Sequence, residues 1–179
     1  MSFVSERGGT IWLTGLSGAG KTTTAVALRD ELVSRGRSCV VIDGDDLRRG
    51  LSADLGFSAS DRDEQVRRAG ELALLLSRQG LIAIVSLISP RAHARQSVRE
   101  LHATHLSSFL EAYIATPLEI CEQRDPKLLY RRARAGEGIA LTGVDDPYEV
   151  PTSPDVTVTT ESNTPTEVAQ LILNAWGDS

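Results

Sequence analysis

Basic charge, cysteine and long apolar runs are all scarce in this 179-residue chain, and each shortage closes off a class of function. Asp and Glu number 24 against 19 Lys and Arg, a net charge of -5, whereas nucleic acid and anionic membranes reward a basic surface. Neither is expected as a main partner, although a local basic pocket remains compatible with this balance. No apolar run is long enough to span a bilayer, and Met1 to Arg7 lack the apolar core of a signal peptide, so a cytoplasmic protein is expected. Cys39 and Cys121 each lie in an apolar stretch and read as buried, reduced thiols rather than redox or metal ligands. The three histidines, His93, His102 and His105, fall in or just after one predicted surface helix and read as solvated. Internal repeats, low-complexity tracts and interdomain linkers are also missing, which leaves a single domain over 1–179.

The strongest positive signal is Gly15-Leu16-Ser17-Gly18-Ala19-Gly20-Lys21-Thr22, a full match to the G-x-x-x-x-G-K-[ST] phosphate-binding loop. Glycines at these positions let backbone N–H groups converge on phosphate oxygens, Lys21 supplies a point charge, and the Thr22 hydroxyl can ligate Mg²⁺. The context fits the mechanism: Thr10 to Thr14 reads as a strand before the loop, and a helix follows from Lys21, its positive end facing the phosphates.

Strand-like runs at Ile11 to Thr14, Ser38 to Asp43, Ile82 to Leu87, Ser108 to Ile114 and Val156 to Thr160 alternate with helical patterns. Helices are expected at about Lys21 to Arg35, Ser60 to Gln79, Pro90 to Thr104, Leu118 to Glu122, Leu128 to Ala135 and Pro165 to Ala175. This alternation predicts an α/β three-layer sandwich of the P-loop NTPase kind, a mainly parallel central sheet with helices on both faces. Ligands in such folds collect at the carboxyl ends of the strands, so the loops after Leu13, Asp43 and Leu87 are the ones to watch. Ala135 to Pro154 shows no clear periodicity, a length of loop that is usually functional or dependent on ligand for its order.

After the second strand, Asp43-Gly44-Asp45-Asp46-Leu47-Arg48-Arg49 sets three carboxylates and two guanidinium groups at that edge. Phosphoryl transfer needs a group to orient or deprotonate the attacking hydroxyl, for which Asp45 is suited, and a metal-coordinating group, for which Asp43 is suited. The competing reading is a helix N-cap followed by solvated charges. Ser86 and Ser89 sit at the same edge; no His or Lys is adjacent to activate them, so they read as satisfying loop backbone rather than as nucleophiles. No separate acid ends the third strand and no Asn-Lys-x-Asp guanine motif occurs, which disfavours an ATPase or GTPase switch.

The blocks GLSGAGKTT, DGD-x-x-R-x-GL, DLGFS-x-x-DR-x-E-x-x-RR, ISP, PLE-x-CE-x-RDPK-x-LY-x-x-ARAGE and TG-x-DDPYE run in order from Gly15 to Glu149. In these the chain resembles adenylylsulfate kinases, which transfer a phosphoryl group from ATP to the 3′-hydroxyl of adenosine 5′-phosphosulfate (APS). The resemblance implies ATP as donor, Mg²⁺ held by Thr22 and Asp43, Asp45 as base with Lys21 and Asp43 beside it, and small nucleotides as the ligands. It implies ATP contacts from Gly15, Leu16, Ser17, Gly18, Ala19, Gly20, Lys21, Thr22 and Thr23, with Arg124 near the ATP base and Lys127 near the phosphates. It further implies a mobile lid over about 124–150, and a homodimer. For the acceptor it implies Arg48 and Arg62 on the phosphosulfate, Phe57 against adenine, and further contacts from Asp45, Gln65, Ile88, Ser89, Leu141, Thr142 and Gly143.

Departures from the family pattern cluster on the acceptor side. Leu141 stands where the family has Phe, Ile139 where it has Lys, Gln65 where it has Asn, Leu87 where it has Phe, and Arg91-Ala92 where it has Tyr-Arg. Losing a base-stacking aromatic costs roughly 1 to 3 kcal/mol. Three readings follow: an APS kinase with a looser adenine clamp patched by Arg91 or by packing from Leu141, a related kinase redirected to another anionic acceptor, or a noncatalytic nucleotide-binding module.

Overall fold

Strand β1 (Gly9–Thr14) is buried along its whole length and alternates its allegiance: Ile11 and Leu13 enter one apolar core, Trp12 the opposite one. Strand β3 (Ile82–Ser86) repeats the pattern, with Ile82 and Ile84 on one side and Ala83 and Val85 on the other. Strands that are apolar on both faces must be covered on both faces, and that requirement produces three layers. The computed structural model describes residues 8–137 and 141–177. The readings that fall on Met1 to Arg7 and on Ile139 lie outside these residues.

The sheet adds β2 (Cys39–Asp43), β4 (Ser108–Ile114) and β5 (Val156–Val158) in the order β2-β3-β1-β4-β5, and every pairing is parallel. The expected mainly parallel sheet is therefore wholly parallel among the described residues. One core combines the first set of strand side chains with α1 (Lys21–Ser34) and α7 (Pro165–Trp176), through Leu28, Leu32, Ile172 and Leu173. The other combines the second set with α3 (Ala59–Ser77) and α4 (Ala92–Thr104), through Val66, Ala69, Ala73 and Val98. Two short helices, α5 (Leu118–Arg124) and α6 (Leu129–Arg134), follow β4. No helix among the described residues is long and apolar enough to cross a membrane.

Register aligns the functional edge. Asp43 pairs with Ser86 and Leu13 with Ser86, so the chain leaves β2, β3 and β1 at one level of the sheet.

Four expectations need correction. Gly44–Arg49 is a short helix, α2, as the competing N-cap reading had it, rather than the loop expected after Asp43: Asp43 is its N-cap and accepts the Asp45 N–H at 2.9 Å. Helix α4 starts at Ala92 rather than Pro90, because Ser89 holds φ +41 and Arg91 is extended. His102 is fully buried: it lies on the same face of α4 as Val98, its Nδ1 is 2.9 Å from the Val98 carbonyl, and its Nε2 is 2.8 Å from the Thr10 hydroxyl on β1. Burial pushes its pKa down. Cys121 is buried as expected, but Cys39 is only half-buried, at the start of the edge strand β2.

Candidate active site

The loop between β1 and α1 owes its shape to glycine at positions that admit little else. Gly18 has φ +74, and a Cβ there would stand 2.9 Å from the Cys121 carbonyl oxygen. Gly20 has φ +98, and a Cβ there would strike Thr160 at 2.9 Å. Below the loop, the Ala19 carbonyl accepts from the Thr116 hydroxyl at 3.0 Å and the Thr160 hydroxyl at 2.8 Å, while Tyr130 Oη donates to the Ser17 carbonyl at 2.9 Å. Helix α1 is capped by Gly20 without any side chain, which leaves its first-turn N–H groups facing the loop.

Lys21 is buried and folded back on this loop, donating to the Gly15 carbonyl at 2.9 Å and the Leu16 carbonyl at 2.7 Å. Burial drives its pKa down to about 8. Next to it, Thr22 Oγ1 donates to Asp43 Oδ2 at 2.8 Å and lies 3.5 Å from Ser86 Oγ. These hard oxygens suit Mg²⁺, which takes one or two protein ligands and completes its shell with phosphate and water. No group of three or more His, Cys, Asp or Glu that could hold a metal ion occurs among the described residues. Thr23 is exposed on the first turn of α1. Arg124 donates to Thr160 Oγ1 at 2.6 Å and to the Thr160 carbonyl at 2.7 Å, which fixes it beside the Gly20 end of the loop.

A cleft of about 690 Å³ opens from Lys21 and Thr22 across the carboxyl edge of the sheet. Of the acceptor residues expected from the sequence, Asp45, Arg48, Phe57, Arg62, Gln65, Ile88, Ser89 and Leu141 all border it. Phe57 is 63% exposed, which excludes a core role, and the Arg48 guanidinium lies 4.3 Å from its ring centroid. Arg48 also donates to the Gly56 carbonyl at 2.8 Å, and Arg62 Nε to the Phe57 carbonyl at 3.0 Å. Burial holds both guanidinium groups below their usual range. Arg62 further faces Asp146 at 3.7 Å. Gln65 Nε2 donates to the Gly44 carbonyl at 3.0 Å and so braces the start of α2. Across the cleft, Lys127 is ion-paired with Asp45.

Thr142 and Gly143 are not on the cleft wall. Thr142 is buried and bridges to Asp146, and the Gly143 N–H donates to the Asp146 carbonyl at 2.7 Å in a tight turn. Leu141 does both jobs, bordering the cleft while packing into the α1-side core. Arg91 does not reach the cleft as a patch for the adenine clamp; it pairs with Asp63 at 3.1 Å. That pair turns the Arg91 side chain toward α3. Ser89 Oγ accepts from Trp12 Nε1 and donates to Thr14 Oγ1, both at 3.1 Å, so its hydroxyl is tied to side chains of β1.

Residues the sequence did not single out also face the cleft, notably Leu129 and Arg132 on α6. Their i,i+3 spacing on one helix was the available signal. With Lys21, Arg48, Arg62 and Lys127, Arg132 makes five cationic side chains against two carboxylates, Asp43 and Asp45. An acidic protein has thus gathered cations around one cavity, an arrangement that fits polyanionic ligands meeting at a carboxylate.

Comparison with known proteins gives a consistent family. Residues 7–159 match the Adenylylsulphate kinase family model. An adenylyl-sulfate kinase from Microcystis aeruginosa is 47% identical over 171 residues, covering 96% of this chain and 92% of its own. One from Synechococcus sp. is 46% identical over 172 residues, covering 96% of each. The structure of a Mycobacterium tuberculosis APS kinase in complex with AMPPNP and APS superposes with a TM-score of 0.92 at 45% identity, covering 96% of this chain and 98% of that one. With its phosphate loop, carboxylate edge and cationic cleft in one continuous site, and relatives of this similarity along nearly its whole length, the chain belongs to the adenylylsulphate kinase family.

Proposed function

We propose that the protein transfers the γ-phosphoryl group of ATP to the 3′-hydroxyl of APS, giving 3′-phosphoadenosine 5′-phosphosulfate in sulfate activation. The observation that carries this reading is the single cleft in which the phosphate loop, Asp45 and the guanidinium groups of Arg48 and Arg62 converge. The backbone N–H groups of Gly15 to Thr22 receive the donor phosphates, and Lys21 exchanges its two carbonyl partners for phosphate oxygens. Thr22 and Asp43 would hold Mg²⁺, which would supply charge neutralisation for the donor phosphates. Arg48 and Arg62 hold the phosphosulfate, and Phe57, steadied by Arg48, offers a ring face to the adenine.

Asp45 then sits where the acceptor hydroxyl must lose its proton, as general base. Lys127 is ion-paired with that carboxylate, which places the lysine where it can also meet the transferring phosphates. Arg124, anchored on Thr160, borders the donor base. The lid over 124–150, a cytoplasmic location and a homodimer are parts of the same proposal; sedimentation of the purified protein reads the last.

The test is product analysis with Mg·ATP and APS by mass spectrometry. ADP formed only with APS, at an efficiency of about 10⁴ M⁻¹s⁻¹ or more, supports the proposal. ADP formed with a different nucleotide acceptor, without an acceptor, or not at all overturns it in favour of a redirected kinase, a hydrolase or a binding module.

A further inference from the structure

The turn that follows β3 forms one wall of the cleft through Ile88, Ser89 and Pro90, and it is strained: Ser89 holds φ +41 without being glycine. Such a conformation persists only when its surroundings over-determine it. Two elements from elsewhere in the chain do so. Arg95, on the first turns of α4 and almost fully buried, donates from Nη1 to the Ser89 carbonyl at 2.7 Å. Its Nη2 donates to the Glu149 carbonyl at 2.7 Å, and its Nε pairs with Glu111 of β4 at 2.9 Å. One planar fork thus ties the turn, the segment after residues 141–146 and the sheet together.

Tyr148 and Glu149 close the arrangement as a strap. The Glu149 N–H donates to the Pro90 carbonyl at 2.8 Å, and Glu149 Oε2 accepts the Ala92 N–H at 2.6 Å. The carboxylate therefore caps α4, a helix with no capping side chain of its own. Tyr148 Oη is hydrogen-bonded to Thr14 Oγ1 at 2.8 Å, the hydroxyl that donates to the Ile88 carbonyl at 2.7 Å. Just upstream, Asp146 faces Arg62 of the cleft.

We propose that Arg95 and the Tyr148–Glu149 strap are positioning elements that lock the Ile88–Pro90 wall and couple it to the segment 141–146, setting affinity for the acceptor and not for ATP. None of the three borders the cleft. Their influence travels through the turn, whose strain means that lost anchors let the wall relax away from its ligand. This inference rests on the proposed APS kinase activity.

The experiment compares steady-state constants for Arg95→Lys, Glu149→Ala and Glu149→Gln with the parent. Lysine keeps the charge toward Glu111 but cannot bridge two carbonyls as a fork. Arg95→Lys and Glu149→Ala are each expected to raise KM for APS about tenfold while KM for ATP stays within about twofold, a split that general destabilisation does not produce. Glu149→Gln, which keeps an oxygen for the Ala92 N–H, is expected to restore most of the loss. If Arg95→Lys fails to fold, the Glu149 pair decides. Unchanged KM for APS in a parent that is active, or equal rises in both KM values, overturns the inference alone. A parent that makes no ADP from ATP and APS overturns the functional reading and this inference with it.

Discussion

The donor side of the cleft is eight consecutive residues, Gly15 to Thr22, shaped by backbone and closed by carbonyl contacts from Lys21. The acceptor side gathers side chains from α2, the start of α3, the turn after β3 and the lid, separated by as much as the interval from Asp45 to Leu141. A backbone-made site tolerates few changes but is insensitive to which side chains surround it. A site assembled from distant side chains shifts with every anchor. Of the family departures noted in the sequence, Gln65, Leu87 and Leu141 border this second side, where changing one side chain retunes affinity without destroying the phosphate cradle.

The largest effect expected from breaking this comparison is at the donor side. Lys21→Ala should abolish phosphoryl transfer, because no other cation sits within the phosphate loop itself and the ammonium is the group that reaches the loop carbonyls. The protein should fold, as read by an unchanged circular dichroism spectrum, and single-turnover assays should detect no product. Product at the parent's rate would remove the phosphate-loop assignment.

At the junction of the two sides, Asp45→Asn keeps shape and hydrogen bonding while removing basicity. The expected fall in kcat is roughly 10² to 10⁴, with ATP affinity nearly unchanged. Loss of Mg·ATP affinity with retained turnover would instead assign Asp45 to the metal.

Leu141→Phe probes the acceptor side. A ring directed into the cleft should tighten APS by about 1 to 3 kcal/mol, read as a lower KM for APS with KM for ATP constant. Leu141 is only 4% exposed and shared with the core, so the larger side chain also costs about 1 to 3 kcal/mol of overpacking, seen as a lower Tm. If the substitution fails to help APS and harms turnover of another nucleotide, the acceptor has been redirected.

How much of this was legible in the sequence follows the same division. The β1–loop–α1 unit was readable because its chemistry is local: a motif, a preceding apolar strand and a helical period are all within Gly9–Ser34. The five strands were readable from apolar runs, and the sheet edge from their alternation with helices. Helix α2 was legible only as the competing N-cap reading, because six residues hold too few turns to show a period, and Asp43 serves both as cap and as a site residue. His102 was misread because a polar side chain on α4 finds its partner, Thr10, on a strand 92 residues away. Arg91 was misdirected for a related reason: its orientation is set by the Ser89 turn and by Asp63, neither of which a spacing argument contains. Leu129 and Arg132 enter the cleft only because α6 is folded over it.

The smallest expected effect sharpens the donor side alone. Lys21 has a pKa lowered from 10.5 to about 8 by burial, so in the free protein its charge is lost as pH rises through about 8. Between about 8 and 10.5 the unfolded chain binds the proton that the folded chain has released, so this residue's contribution to stability grows as pH rises across that window. Phosphate oxygens around Lys21 favour the ammonium and raise its pKa, so ATP binding above pH 8 must take up protons. Calorimetric titration at pH 8.5 in two buffers of different ionisation enthalpy should therefore show net uptake of a sizeable fraction of one proton per ATP, and Lys21→Met should remove it. ATP affinity should also weaken by a few-fold between pH 7.5 and 9, since a neutral amine must first be protonated, at a cost of about 1.4 kcal/mol per pH unit above the free pKa. No proton uptake at pH 8.5 in the parent would mean that Lys21 stays charged before ATP binds, and that its two carbonyl partners compensate burial as fully as the phosphates do.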